Sequence, residues 1–229
     1  MQLSKRLQRI ADFVRPGDRI IDVGTDHAYI PIWLLLNGIV EHAAATDIRS
    51  GPLERARTDA EYYGVSDRLL LAQCDGLTQC SSDDVDTIII AGMGGETIIG
   101  ILENAPWTLQ KRLILQPQTK QTELRNYLAG AGYTSSDAAL VCDTGRIYLI
   151  WQVEEGEMPH FQGVDRPLLS HHDPLLKPYL DDRIKRIRRH LHGLEAAVHP
   201  DSAQINALRE LLSQLEGISR EVSKWQVLK

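Results

Sequence analysis

Apolar positions along the chain fall into two regimes. Up to about residue 153, short apolar runs bounded by turn residues alternate with stretches of helical spacing. Leu3, Leu7, Ile10, Ala11 and Val14 predict an amphipathic opening helix, which Arg15-Pro16-Gly17-Asp18 breaks. Strands are predicted at Arg19–Val23, Ala43–Asp47, Leu69–Cys74, Thr87–Ala91 and Leu113–Gln116. Helices are expected in Pro31–Asn37, from about Gly51 to Tyr63, and near Thr122–Ala131. Strand and helix alternating in this way imply a parallel sheet covered by helices on both faces. Ala138–Cys142 and Ile147–Val153 depart from that rhythm, because only Asp143-Thr144-Gly145-Arg146 separates them, too little for a crossover. The expected fold is therefore α/β, an open Rossmann-like sheet ending in an antiparallel hairpin.

The second regime follows a polar stretch from Glu154 to Asp173 that is broken by Gly156, Pro159, Gly163 and Pro167. Leu180, Ile184, Ile187, Leu191, Leu194 and Val198 then recur at alternating steps of four and three, a heptad seam. His199-Pro200-Asp201-Ser202 turns the chain, and Ile205, Leu208, Leu212, Leu215, Ile218, Val222 and Trp225 continue the pattern. Neither helix can bury its stripe alone, so a C-terminal coiled-coil hairpin is expected. Residues 1–157 are read as one domain, 158–173 as a linker and 174–229 as the helical hairpin.

Charge sharpens this division. The formal net charge is −6, which taken alone argues against a polyanionic partner. Residues 1–160 carry 14 basic and 22 acidic side chains, whereas residues 161–229 carry 11 and 9 with five of the eight histidines. The C-terminal part is thus electrostatically distinct, as a separate binding element would be. Cys74, Cys80 and Cys142 show no CxxC spacing and read as reduced thiols, with no metal site expected. No signal segment opens the chain and no apolar run is long enough to span a bilayer, so a soluble cytoplasmic protein is expected.

Candidate chemistry lies where the predicted strands end. Ile20-Ile21-Asp22-Val23-Gly24-Thr25-Asp26-His27-Ala28-Tyr29-Ile30-Pro31 reads as a strand, a tight turn and a helix start. Gly24 admits a backbone conformation closed to other residues, and amides at the helix start favour negative charge. Asp47 ends the second strand roughly 20–25 residues later, where an acid meets ribose hydroxyls in nucleotide-binding α/β folds. Ile48 follows it. Asp75-Gly76 follows the third strand, and Ala91-Gly92-Met93-Gly94-Gly95 the fourth, where the glycines permit close approach of a ligand and Met93 offers a lid for a flat ring. Each feature has a plainer reading as a turn, a helix cap or core. Their recurrence at successive strand ends favours a nucleotide-like ligand.

The strings IDVGTDHAYIP, ATDI, CDGL, IIIAGMGGETI and LQPQ, with the C-terminal heptads, resemble the bacterial tRNA (adenine-N1)-methyltransferases that act on the adenine at position 22. The resemblance runs from the LSKRL opening through the helical hairpin, and VGTDHAYIP and AGMGGE are its most specific parts. It implies S-adenosylmethionine as cofactor, tRNA as substrate and no metal. It implies Asp22, Gly24, Asp47, Ile48, Asp75, Gly76, Gly92 and Met93 as cofactor-side residues. Asp26 and Ala28 stand where the general class I loop carries further glycines, and the Asn/Asp-Pro-Pro-aromatic box of many amino-methyltransferases is missing. Asp26, His27 and Tyr29 would then border the transferred methyl, with Asp26 or His27 bonding the adenine edge and Tyr29 stacking on the base or steering the cofactor. As alternatives, Asp26 caps the helix, His27 lies at the surface and Tyr29 packs in the core. Arg183, Lys185, Arg186, Arg188 and Arg189 form a basic run suited to phosphates, or simply to a solvated helix face. A monomer is expected. A nicotinamide oxidoreductase is disfavoured because G-T-D-H-A-Y stands where G-x-G-x-x-G would be needed. A non-catalytic RNA- or protein-binding module and a methyltransferase of small molecules remain as other readings.

Overall fold

The computed structural model describes residues 1–158, 164–197 and 201–225. By internal contacts the chain divides into two units, Met1–Met158 and Pro159–Lys229.

The first unit is built on a seven-stranded sheet in the order β3-β2-β1-β4-β5-β7-β6. The strands are β1 Ile20–Val23, β2 Ala43–Asp47, β3 Leu69–Gln73, β4 Thr87–Gly94, β5 Arg112–Thr119, β6 Tyr133–Asp143 and β7 Arg146–Glu155. β1 through β5 pair in parallel, whereas β7 runs antiparallel to both β5 and β6. The sequence order reverses between β1 and β4, so a crevice opens beyond the carboxyl ends of those two strands. α1 Lys5–Ala11 precedes β1, and α2 Tyr29–Leu36, α3 Ser50–Tyr62, α4 Gly95–Glu103 and α5 Gln121–Gly130 follow β1, β2, β4 and β5.

The central strands are covered on both faces, which is why they read as unbroken apolar runs. Ile88, Ile89 and Ile90 of β4 have no exposed surface, and all four residues of β1 are buried. Burying side chains of this size stabilises the fold by about 1.5–3 kcal/mol each. At the opposite end of the sheet from the crevice, the Arg112 guanidinium joins Asp18 at 2.8 Å and Glu154 at 3.2 Å, tying β5 to β7 and to the approach to β1. The hairpin expected after β5 is present. Thr144 and Gly145 both take positive φ (48° and 76°), the conformation that a two-residue turn needs to match strand twist.

Two α-helices were not expected from the sequence. α4 begins on Gly94 and Gly95, poor helix formers that hide its start, although Ile98 and Leu102 share its buried face at a spacing of four. Gly95 is required there, because a Cβ would run into the Lys120 backbone carbonyl. In the second unit a short helix, α6 Arg166–Ser170, lies within the stretch read as a linker and buries Leu168.

The rest of the second unit is α7 Leu176–Glu195 and α8 Ser202–Trp225. Leu180, Ile184 and Leu191 of α7 and Ile205, Leu215 and Val222 of α8 are buried, as the heptad pattern requires. Val198, His199 and Pro200 lie outside the described residues. Asp201 caps α8, its carboxylate accepting from the backbone amides of Ala203 and Gln204 at 3.0 Å. No helix among the described residues is long and apolar enough to cross a membrane.

Candidate active site

Two cavities open at the crevice and share Gly24, Ala91 and Gly92 as a common wall. The first, about 620 Å³, is lined by the ends of β1, β2, β3 and β4 and by one face of α4. The second, about 350 Å³, lies on the side of α1 and the loop that enters α2.

The first cavity brings together all but one of the residues expected on the cofactor side. Asp47 is buried at the end of β2, and its Oδ1 accepts from the Arg49 backbone amide at 2.8 Å. Its Oδ2 has no hydrogen bond of its own among the described residues, so one lone-pair face stays open to a ligand. Ile48 next to it is 60% exposed, an apolar side chain held at the rim. The Gln73 amide fixes this turn by donating to the Ile48 carbonyl at 3.1 Å. Asp75 and Gly76 line the cavity, and Gly76 takes φ 58° where a Cβ would crowd Ile101. Gly24 takes φ 72°, and a Cβ there would overlap the Met93 methyl group. Met93 thus lies over the glycine turn. β4 and β5 remain paired as far as Gly94 and Thr119 only through register shifts at Ala91, Met93 and Gly94. Thr97, Gly100, Ile101 and Asn104 also line this cavity. Sequence reading missed them along with α4.

A buried carboxylate with one free oxygen, three glycines at positive φ (Gly24, Gly76 and Gly92) and an apolar rim together fit a nucleoside: a ribose on the acid and a flat base beside Gly76 and Ile48.

Asp22 lines the second cavity instead of the first. It is buried, and burial raises its pKa to about 7 against the opposing hydrogen bond from Thr25. Thr25 also accepts from the Ala28 amide at 2.9 Å, which holds Ala28 in the left-handed conformation at the start of α2 (φ 51°). Asp26, His27 and Tyr29 line this same cavity. The Asp26 carboxylate is bonded to the Arg55 guanidinium, which holds its pKa below the ordinary value. His27 Nδ1 lies 2.9 Å from Asp59 Oδ2, and the His27 ring stacks on Tyr29 with centroids 4.8 Å apart and planes at 13°. Two further polar groups stand opposite. Arg6 donates from Nη1 to the buried Gln116 side chain at 2.8 Å, and its guanidinium lies over the Tyr148 ring. Gln118 is exposed on the rim, its amide beside Gly92. Arg6 and Gln118 escaped sequence reading as individual residues, though the LSKRL and LQPQ strings contain them.

Among the described residues, no three His, Cys, Asp or Glu side chains gather in a way that would hold a metal ion. In the second unit Lys185, Arg186, Arg188 and Arg189 are exposed and Arg183 is half-buried. Arg186 pairs with Asp182, and Arg188 with Glu216 of α8 at 2.8 Å.

Comparison with known proteins shows the family. A family described as a methyltransferase domain matches residues 3–151. The chain is 35% identical over 159 residues to the tRNA (adenine(22)-N(1))-methyltransferase of Bacillus subtilis, an alignment covering 69% of this chain and 67% of that protein. The crystal structure of the B. subtilis M1A22 tRNA methyltransferase TrmK superposes with a TM-score of 0.81 at 28% identity, over 96% of this chain and 98% of that one. Sp1610 of Streptococcus pneumoniae, solved in complex with S-adenosyl-L-methionine, gives 0.76 at 29% identity, over 95% and 100%. The chain belongs to the methyltransferase-domain family and, within it, to the tRNA (adenine(22)-N(1))-methyltransferases.

Proposed function

We propose that this protein transfers a methyl group from S-adenosylmethionine to N1 of an adenine in tRNA, at position 22 as its relative's name states. The observation that carries this reading is the pair of cavities meeting at Gly24, Ala91 and Gly92, one fitted to a nucleoside and the other open beside it for a base.

Asp47 would hold the ribose through its free oxygen, Asp75 and Gly76 would flank the adenine, and Ile48 and Met93 would cover apolar faces. Bound S-adenosylmethionine supplies a methyl group on a cationic sulfur, ready for in-line transfer. An unprotonated adenine N1 is already nucleophilic, so no covalent enzyme intermediate and no metal is needed. The protein's part is then to hold the base in line and to surround the reacting atoms with fixed charges. Asp26, His27 and Tyr29 border the place of the base from the α2 side, and Arg6 and Gln118 from the other.

The basic run of α7 supplies phosphate contacts that an acidic first unit lacks. We assign methyl transfer to residues 1–157 and tRNA binding to residues 174–229, with 158–173 joining them, and take the protein to act as a cytoplasmic monomer. Incubation with labelled S-adenosylmethionine and unmodified bulk tRNA, followed by nucleoside analysis, tests the reaction. 1-Methyladenosine is the expected product. Absence of transfer while the cofactor still binds overturns the reading.

A further inference from the structure

The loop from Thr25 to Tyr29 lines the second cavity, and the partners of Asp26, His27 and Tyr29 sort these three into different roles. His27 has both ring nitrogens turned toward acids. Nδ1 is bonded to Asp59 Oδ2 at 2.9 Å, and Nε2 lies 3.8 Å from Asp26 Oδ2. Asp26 is itself tied to Arg55. Arg55 and Asp59 are four residues apart on α3 and therefore share one face of it. An ionised carboxylate only accepts, so Asp59 places the proton on Nδ1 and fixes the plane of the ring. Without that bond the imidazole would turn about its χ2 torsion, which has only a broad preference.

Nδ1 is committed to α3, Nε2 faces Asp26 without a hydrogen bond, and one face of the ring carries Tyr29, nearly parallel to it. Tyr29 is 39% exposed, so its ring offers the surface that an incoming flat group meets. A base stacked on Tyr29 would lie one ring further from His27 and beyond its hydrogen-bonding reach. The two roles expected of this pair, edge contact by His27 and stacking by Tyr29, thus exclude one another, and the geometry favours stacking.

We propose that Asp59 is a positioning residue that fixes His27 as a backing plate, so that Tyr29 presents a rigid platform on which the target adenine stacks. This rests on the placement of the base in the second cavity. Stacking on an aromatic side chain suits a base lifted out of RNA, because every base has a π-face and the ring costs little entropy to order.

The test measures kcat/KM for unmodified tRNA and, separately, Kd for S-adenosylmethionine, in the full-length protein. Tyr29→Ala is expected to lower kcat/KM about 10- to 100-fold. Tyr29→Phe, which keeps the ring, should retain at least about a third of it, since stacking does not need the hydroxyl. Asp59→Ala should cost about fivefold with cofactor Kd unchanged, and Asp59→Asn, whose amide oxygen still accepts from Nδ1, should recover most of that loss. If Asp59 works through the platform, the double variant Asp59→Ala/Tyr29→Ala is no worse than Tyr29→Ala alone. Additive losses, or Asp59→Asn as damaging as Asp59→Ala, would overturn the proposal. A silent Tyr29→Ala would remove the base from this cavity and the proposal with it. A severe Tyr29→Ala with a silent Asp59→Ala would leave the site standing and remove only the role of Asp59.

Discussion

The two cavities each hold one buried acid, and the two acids are kept in opposite ways. Asp47 sits at the end of β2 with a backbone amide bonded to one oxygen and the other oxygen free. Asp22 lies in β1 behind the glycine turn, where the Thr25 hydroxyl is the hydrogen-bond donor that offsets burial and its pKa is pushed up to about 7. An acid partnered in this way is equipped to receive hydroxyl groups. An acid stripped of water and left with one donor is poised to change charge when a cation or a proton comes near. On the proposed reading Asp47 would bind by fixed hydrogen bonds, whereas the charge of Asp22 would respond to what enters its cavity.

The largest effect that would test this contrast is on stability. The folded pKa of Asp22 lies above the ordinary carboxylate value of 3.8, so between about pH 4 and 7 the folded protein holds a proton that the unfolded chain has released. The contribution of Asp22 is therefore fully favourable below pH 4, is lost progressively as the pH rises toward 7, and is constant above that. The span corresponds to roughly 4 kcal/mol at most. Thermal melts of Asp22→Asn against the parent should converge at low pH and separate by pH 8 in favour of the variant. Parallel melting curves across that range would show that Asp22 is not held protonated. Next in size is Asp47→Ala. Removing the charged acceptor proposed to hold the ribose should raise the Kd for S-adenosylmethionine about 100-fold, with tRNA binding little changed. Calorimetric titration reads the first quantity and filter binding the second. Equal losses in both would mean that the cavities are not separate sites.

The same contrast explains what could be read in advance. Gly24, Asp47, Asp75, Gly76 and Gly92 all stand at ends of parallel strands, and the alternating pattern alone says that such ends gather on one edge of the sheet. Their convergence was therefore legible before any coordinates. Asp22 was grouped with them by its neighbours in sequence, but alternation along β1 turns it to the other cavity. The second cavity draws on α1, α3 and the end of β5. Arg6 meets Gln116 across 110 residues, and Asp59 meets His27 across 32. No local pattern encodes such pairs, because they depend on how the helices pack over the sheet. α4 was hidden for a different reason: it starts on glycines, and Gly95 is there for close approach to the Lys120 backbone and not for helix formation.

Arg6 and Gln118 sharpen the comparison from the other direction. Both line the second cavity and neither lines the first. Gln118→Ala and Arg6→Ala should each lower kcat/KM for tRNA about tenfold, the usual scale for one hydrogen bond involving a charged or well-placed partner, while the cofactor Kd stays put. Arg6→Ala also strips the buried Gln116 of its donor, so a fall in melting temperature is expected there and not for Gln118→Ala. A change in cofactor affinity in either variant would break the division at Gly24.

The smallest effect should come from outside both cavities. Lys185 and Arg189 are exposed, lie four residues apart on α7 and so share a face, and have no ion-pair partner among the described residues. Arg186 and Arg188 are already engaged by Asp182 and Glu216, so part of any phosphate attraction is spent within the hairpin. Arg189→Ala should therefore weaken tRNA binding by only about threefold near physiological salt and flatten the dependence of log Kd on log salt by somewhat less than one. The effect should fade as salt rises and should leave kcat at saturating tRNA and the cofactor Kd unchanged. An unaltered salt slope in the double variant Lys185→Ala/Arg189→Ala would reduce this face to a solvated surface of the helical pair. The search for the tRNA-holding surface would then return to the second cavity, which Arg6 lines.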